Sequence, residues 1–110
     1  MNNLDSEYYE RLLQSLTINS RTIITELTTI AEQNVDHAQL IVDMIETRIK
    51  KALPHHKLFL MYLMDSICKN IGSPYNLIFA KNLFKVFTET YTFIPDTTTR
   101  QHLINLFKTW

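Results

Sequence analysis

Four side chains in the stretch MYLMDSICKNIGSPY, residues 61–75, have the chemistry to recognise a ligand without transforming it. Asp65 accepts hydrogen bonds, Lys69 supplies a cation, Ser66 a hydroxyl group and Tyr62 an aromatic surface. On a helix they share an arc of roughly 140°, which would line a groove for an extended peptide. The same spacing fits a solvated helix face on which Asp65 and Lys69 form an i,i+4 pair. The residue types leave both interpretations open.

The residues that most often catalyse reactions are poorly arranged in this chain. Its histidines are His37, His55, His56 and His102. Their spacing relative to Cys68 fits no metal site, and an apolar neighbourhood is typical of a buried thiol rather than a nucleophile. Gly72 is the only glycine, which excludes a glycine-rich phosphate-binding loop. We expect no enzymatic activity, no metal and no cofactor.

Composition narrows the class of protein further. The 110 residues fit one globular domain, with 45% hydrophobic and 20% charged residues. Eleven basic residues balance eleven acidic ones, so bulk charge does not favour binding to nucleic acid or membrane. A single cysteine indicates a reducing, intracellular compartment, since it cannot form an internal disulfide. The first ten residues are unlike a secretory signal, and the longest apolar run, 58–64, is too short to span a membrane.

The elements that must position the four side chains are predicted to be helices throughout. Apolar residues recur every three or four positions, and no sustained alternation indicates a strand. The first helix should begin after Asp5 or Ser6, and the second after Asn19 or Ser20. The second helix should end near residue 34, and the third should span about 36–53, where Pro54 ends it or begins the next.

The fourth helix carries the four side chains and should lie centrally, because most of its circumference is apolar. Gly72 is expected to end it in a left-handed conformation, with Ser73 capping the next helix and Pro74 at its first position. Residues 73–94 predict one bent or two short helices, and a last helix follows Asp96 or Thr97. About seven helices result, in one domain over residues 1–110. Because the chain ends on apolar Trp110 without a stop signal, we expect a missing C-terminal helix.

Three segments together resemble a known family. The stretches LFLMYLMDSICKNIGSPY, LTINSRTIITELTTIAEQN and TTTRQHLINLFKTW are similar to the CTD-interacting domain (CID), which binds the C-terminal repeats of RNA polymerase II. The resemblance implies a right-handed superhelix of eight helices, related to the VHS and ENTH domains of trafficking adaptors, of which only seven fit here. It also implies a nuclear protein whose other regions contact cleavage and polyadenylation factor subunits. Its task would be recruitment of mRNA 3′-end processing and termination factors.

The family's ligand is the heptad YSPTSPS phosphorylated on its second-position serine, and the resemblance assigns roles to individual residues. Asp65 would accept a hydrogen bond from the ligand tyrosine, and Tyr62 would form an apolar wall for the ligand proline. Ser66 and Lys69 would continue the groove toward the phosphate. The remaining residues implied are Asn19, Ser20 and Arg21 near the phosphate, and Asn105 and Lys108 on the opposite wall.

One departure from the family and two alternative functions bear on this hypothesis. The resemblance implies that family members that bind phosphate strongly have arginine at the position of Asn105. We therefore expect this chain to bind the heptad weakly and to discriminate little between its phosphorylated forms. A trafficking adaptor with this architecture is one alternative, although the first helix lacks the basic residues that bind lipid. Weak RNA binding through RIKKALPHHK, residues 48–57, is the other, although basic residues often end a helix for electrostatic reasons.

Overall fold

The structure is a computed structural model, and it describes residues 5–18, 20–81, 101, 104 and 105. Every regular element within these residues is helical, as predicted. The α-helices are α1 (Ser6–Gln14), α2 (Arg21–Gln33), α3 (Ala38–Lys51), α4 (Pro54–Asn70) and α5 (Tyr75–Ala80), with a 3₁₀ turn at Val35–His37 before α3. The predicted helices over residues 82–100 and up to Trp110 lie outside the described residues, except for helical Gln101, Ile104 and Asn105. The count of about seven therefore stays a prediction.

The N-termini of α1 and α2 are fixed by side-chain caps at predicted positions. Asp5 accepts a hydrogen bond from the Tyr8 backbone N–H, and Ser20 accepts one from that of Ile23. Each cap satisfies a backbone donor that would otherwise lack a partner at the helix start. Of the two candidates for the second helix, Ser20 is therefore the cap.

The third helix and the junction after α4 differ from the prediction. Residues 35–37 form a separate 3₁₀ turn, and α3 ends at Lys51, two residues before the predicted boundary. Gly72 has the expected positive φ of 79°. However, α5 begins at Tyr75 with Pro74 in the capping position and no side-chain cap, so the roles assigned to Ser73 and Pro74 were wrong. Pro74 cannot donate a backbone hydrogen bond, and its carbonyl instead accepts from Leu77 and Ile78.

Helix α4 lies at the centre of the packing and contacts α2, α3 and α5. Its buried side chains include Leu58, Leu60, Met61, Leu63, Met64 and Ile67. At 100° per residue Leu58 falls within the same arc of α4 as the four polar side chains, yet it is only 6% exposed. It lies at the edge of that arc, where packing by neighbouring helices outweighs the periodicity of α4 alone.

Two buried tyrosines attach neighbouring segments to the backbone of α2. The Tyr9 hydroxyl donates to the Leu27 carbonyl at 3.1 Å, and the Tyr75 hydroxyl donates to that of Ala31 at 2.7 Å. Both side chains are 0% exposed, and burial raises the pKa of Tyr75 to about 12. The two bonds give buried polar groups partners and fix α2 relative to α1 and to the junction after α4.

Candidate functional site

The predicted polar strip of α4, comprising Tyr62, Asp65, Ser66 and Lys69, lies at the surface of an otherwise buried helix. Lys69 Nζ lies 3.1 Å from Asp65 Oδ1, and the two side chains are 50% and 17% exposed. The i,i+4 ion pair of the simpler interpretation is therefore present, yet its carboxylate is largely buried beside the core. Tyr62 is half-buried and packs against the core, and this burial raises the pKa of its hydroxyl.

The Ser66 hydroxyl joins α4 to α2. Its Oγ lies 2.9 Å from Thr28 Oγ1, and Thr28 Oγ1 donates to the Ile24 carbonyl at 2.7 Å. A hydroxyl has one proton, so Ser66 must donate to Thr28. Asn70 Nδ2 in turn donates to Ser66 Oγ at 3.2 Å. Ser66 is thus engaged between the helices, which makes it a group that positions the strip.

A pocket of ≈ 280 Å³ opens between α2 and α4 beside this hydrogen-bond chain. Its lining is polar and comprises Thr25, Thr28, Thr29, Glu32, Ser66 and Asn70. Of the predicted site residues, Ser66 is the one in this lining. The threonines of α2 and Asn70 were missed, although their spacing of three and four residues on a predicted helix was the signal that would have found them.

The helical order of the strip places Asp65 at its edge away from α2. Ser66 and Asn70 lie on the side of α4 that contacts α2, and Tyr62 lies in the middle of the arc. A ligand that reaches both Asp65 and the threonine-lined pocket must therefore cross the Tyr62 ring. This arrangement brings four of the predicted residues, 62, 65, 66 and 69, onto one surface.

Ser20 and Arg21 lie at the other end of the α2–α4 pair. The Thr28–Ser66 and Ala31–Tyr75 hydrogen bonds place the C-terminal half of α2 beside the C-terminal end of α4. At 1.5 Å per residue, Arg21 and Lys69 are then about 15 Å apart along the pair. The two residues that were both expected near the phosphate therefore begin at different levels of this helix pair.

The other predicted site residues are only partly described. Asn105 is exposed and helical, and its Oδ1 accepts a hydrogen bond from Gln101 Nε2 at 3.0 Å. Asn19 and Lys108 lie outside the described residues. The opposite wall implied by Asn105 and Lys108 therefore stays a prediction.

The basic segment 48–57 presents fewer available cations than its sequence indicates. Lys57 is 6% exposed, and its ammonium group donates to the backbone carbonyls of Ile49 and, at 3.3 Å, Lys50. Arg48 lies 3.9 Å from Glu10. Lys57 therefore satisfies carbonyls at the end of α3 from the first turn of α4, while Arg48, Lys50 and Lys51 occupy the last turn of α3 itself.

The described residues contain no group of three metal-ligating side chains. No helix within them is long and apolar enough to cross a membrane. Burial, and secondarily the nearby Asp65 carboxylate, raise the pKa of the Cys68 thiol to about 11. Cys68 is therefore a protonated group packed against the core at neutral pH, as its neighbourhood predicted.

Comparison with known proteins agrees with this architecture. Residues 7–110 match the family model described as CID domain. The chain belongs to the CID family. Over 102 residues it is 52% identical to Protein PCF11 of Saccharomyces cerevisiae, and over 104 residues it is 33% identical to Polyadenylation and cleavage factor homolog 11 of Caenorhabditis elegans. Each alignment covers 93% of this chain but only 16% and 12% of those relatives.

A solved structure supports the CID fold independently. The crystal structure titled as the rpr of pcf11 superposes with a TM-score of 0.91 at 51% sequence identity. The match covers 94% of this chain and 79% of that one. The family predicted from the three segments is thus confirmed, together with the all-helical fold.

Proposed function

We propose that this CID binds the phosphorylated C-terminal heptad repeats of RNA polymerase II along the α4 polar strip. It would thereby recruit mRNA 3′-end cleavage, polyadenylation and termination factors in the nucleus, as a binding module rather than an enzyme. Contacts with other subunits of that machinery would come from regions outside this chain. Family membership favours this function over the trafficking-adaptor alternative.

The observation that carries the proposal is the position of Asp65. Its side chain is 17% exposed, it lies one helical turn after the half-buried Tyr62, and its Oδ1 is 3.1 Å from Lys69 Nζ. A hydrogen bond from a tyrosine hydroxyl to a carboxylate is charge-assisted, and partial burial excludes the water that would compete with it. Tyr62 offers the adjacent apolar surface that a ligand proline requires.

The distance between the two predicted phosphate-binding ends supports a ligand of about one heptad. An extended peptide rises about 3.3 Å per residue, so the 15 Å between the levels of Lys69 and Arg21 correspond to about five residues. Lys69 and Arg21 would therefore approach the ligand from opposite ends of this span. Lys69→Ala and Arg21→Ala should differ in their effect on a singly phosphorylated peptide, which identifies the end that holds the phosphate.

The decisive experiment is a double-mutant cycle between Asp65 and the ligand tyrosine. Two-heptad peptides phosphorylated on the second serine are titrated against the parent chain and Asp65→Ala, each peptide with tyrosine or with phenylalanine in its place. Loss of a charge-assisted hydrogen bond of about 1.5–3 kcal/mol predicts at least tenfold weaker binding in the parent when tyrosine is replaced. In Asp65→Ala the two peptides should bind equally.

Controls separate this contact from altered folding or charge. Asp43→Ala removes an exposed carboxylate from α3 and should bind like the parent. Lys69→Met removes the partner of Asp65 but retains the acceptor, so it should preserve the tyrosine preference. A tyrosine preference of the same size in Asp65→Ala would refute the site assignment.

The Asn105 position predicts weak phosphate recognition that can be strengthened. Asn105 is exposed, so Asn105→Arg should be tolerated. A guanidinium group offers two parallel charged donors, whereas the donors of the asparagine amide are uncharged. This variant should therefore bind phosphorylated heptads more tightly. The gain should shrink with added salt and be absent for the unphosphorylated peptide. Equal tightening of both peptides would contradict a phosphate contact at this residue.

A further inference from the structure

A second pocket lies at the beginning of α4, where the C-terminal ends of α1 and α3 meet it. It has a volume of ≈ 310 Å³, and we call it the basic pocket. Its principal lining residues are Leu13 and Leu60, which are buried, and Arg48, Lys51, Leu53 and His56. None of the residues of the polar strip contributes to it.

The basic pocket combines an apolar floor with an exposed apolar residue. Leu13 and Leu60 are each 1% exposed and belong to the core, whereas Leu53 is 65% exposed. Leu53 stands in extended backbone between α3 and α4, at the entrance to the pocket. A large apolar side chain from a partner would therefore be covered on two sides, and its burial together with that of Leu53 is favourable.

The walls of the basic pocket are positive. Arg48 and Lys51 line it, no lining residue in the described chain carries a carboxylate, and residues 48–60 contain no Asp or Glu. Glu10 approaches Arg48 to 3.9 Å from α1, but both side chains are partly exposed and such a pair is weak. The exposed Lys50 adds positive charge nearby. A partner with carboxylates is therefore electrostatically complementary to this surface.

We propose that the basic pocket docks an acidic segment of a partner protein, which inserts a leucine or phenylalanine side chain between flanking carboxylates. A single-stranded RNA fits the site less well, because RNA bases are held by stacking on open aromatic faces. Here the floor is formed by leucines, and His56 already stacks on Phe59 with the ring centres 6.3 Å apart. Phosphate contacts alone would leave the apolar floor unfilled.

The basic pocket shares no residue with the polar strip. His56 and Asp65 are nine residues apart, about 14 Å along α4. Thr17 in the pocket lining lies near Ser20 and Arg21 in sequence, so the residues whose amides shift distinguish the two sites. Asp65→Ala should leave the basic pocket unchanged.

The experiment uses three synthetic ten-residue peptides and backbone amide chemical shifts of the isotope-labelled chain. The first peptide consists of Asp and Glu with Leu-Phe at its centre, the second has Ser-Ser at the centre, and the third has Lys in place of every acidic residue. The first should shift the amides of Arg48, Lys51, Leu53 and His56. Because each apolar side chain contributes roughly 1.5 kcal/mol or more on burial, the second should bind at least about tenfold more weakly. The third should not bind.

Variants then assign the contact to named residues. Leu53→Ser and Lys51→Glu should each weaken the first peptide about fivefold, through lost apolar contact and reversed charge. Lys50→Glu makes the same charge change on the same helix turn but outside the pocket lining, so it should have a smaller effect. All three residues are exposed, and the comparison of peptides on the parent chain tests the proposal even if one variant misfolds.

Three outcomes would overturn the docking proposal. Equal affinity for the Leu-Phe and Ser-Ser peptides would show that charge attraction alone holds the peptide and that no apolar side chain enters the pocket. Shifts confined to residues 62–70 would place the acidic peptide on the polar strip. Binding of an oligouridylate RNA that Leu53→Ser abolishes, without binding of the first peptide, would assign the pocket to RNA.

Discussion

The two ends of α4 use lysine in opposite ways. Near its beginning, Lys57 is 6% exposed and its ammonium group donates to the carbonyls that end α3. Near its end, Lys69 is 50% exposed and pairs with Asp65 across one helical turn. One cation stabilises the fold by satisfying backbone acceptors, whereas the other lies on the strip for which we propose heptad binding. Two positions on one helix can therefore carry the same side chain for unrelated physical reasons.

The largest expected difference between the two ends is in stability. Lys57→Met should lower the free energy of unfolding by about 1–3 kcal/mol, because buried carbonyls lose a charged donor. Lys69→Met should change it by less than about 0.5 kcal/mol, as is typical of exposed pairs. Urea unfolding followed by circular dichroism measures both. Equal losses from the two variants would break the comparison.

A smaller effect is expected at the contact between α2 and α4. Thr28→Val and Ser66→Ala should each cost about 1 kcal/mol, because each removes a hydroxyl from the interhelical hydrogen bond. The double variant should cost less than the sum, since the two groups act on one another. Additive losses in a thermal-unfolding cycle would show that the hydroxyls do not interact. Thr29→Val, whose hydroxyl donates to the Thr25 carbonyl within α2, is the matched control.

The smallest expected effect is on the pKa of the Cys68 thiol, which depends on the negative charge of Asp65 in the polar strip. Burial is the larger cause of its pKa of about 11, and the Asp65 carboxylate is the second. Asp65→Asn removes a negative charge that disfavours the thiolate, so the pKa should fall, while burial still holds it above the ordinary value. The rate of alkylation by iodoacetamide as a function of pH measures this shift. An unchanged or higher pKa would place the carboxylate too far away to act.

Sequence reasoning predicted the first two helix caps and the Gly72 turn, but it predicted neither the start of α5 nor the contacts between helices. The caps Asp5 and Ser20 and the left-handed Gly72 follow from short-range chemistry, so their positions could be predicted. The resemblance of three segments identified the family. Where neighbouring helices decide the outcome, the sequence was insufficient, as the burial of Leu58 shows.

The candidate site shows the same division. The periodicity of α4 was enough to place Asp65, Ser66 and Lys69 on one surface. Partners across the helix pair, such as Thr28, depend on how α2 is rotated about its axis, which no pattern within α2 specifies. Ser20 lies on one side of the Thr28–Ser66 contact and Lys69 on the other, and this too follows only from how the two helices pack.

The attachment of α2 through its main chain has an evolutionary consequence. Tyr9 and Tyr75 donate hydrogen bonds to the backbone carbonyls of Leu27 and Ala31. Every amino acid has such a carbonyl, so these two hydrogen bonds do not depend on which side chain stands at either position. Mutations at the exposed Thr25 and Thr29 can thus accumulate while α2 keeps its position. Homologues with this arrangement can therefore change their ligand-binding surface and still keep the same fold.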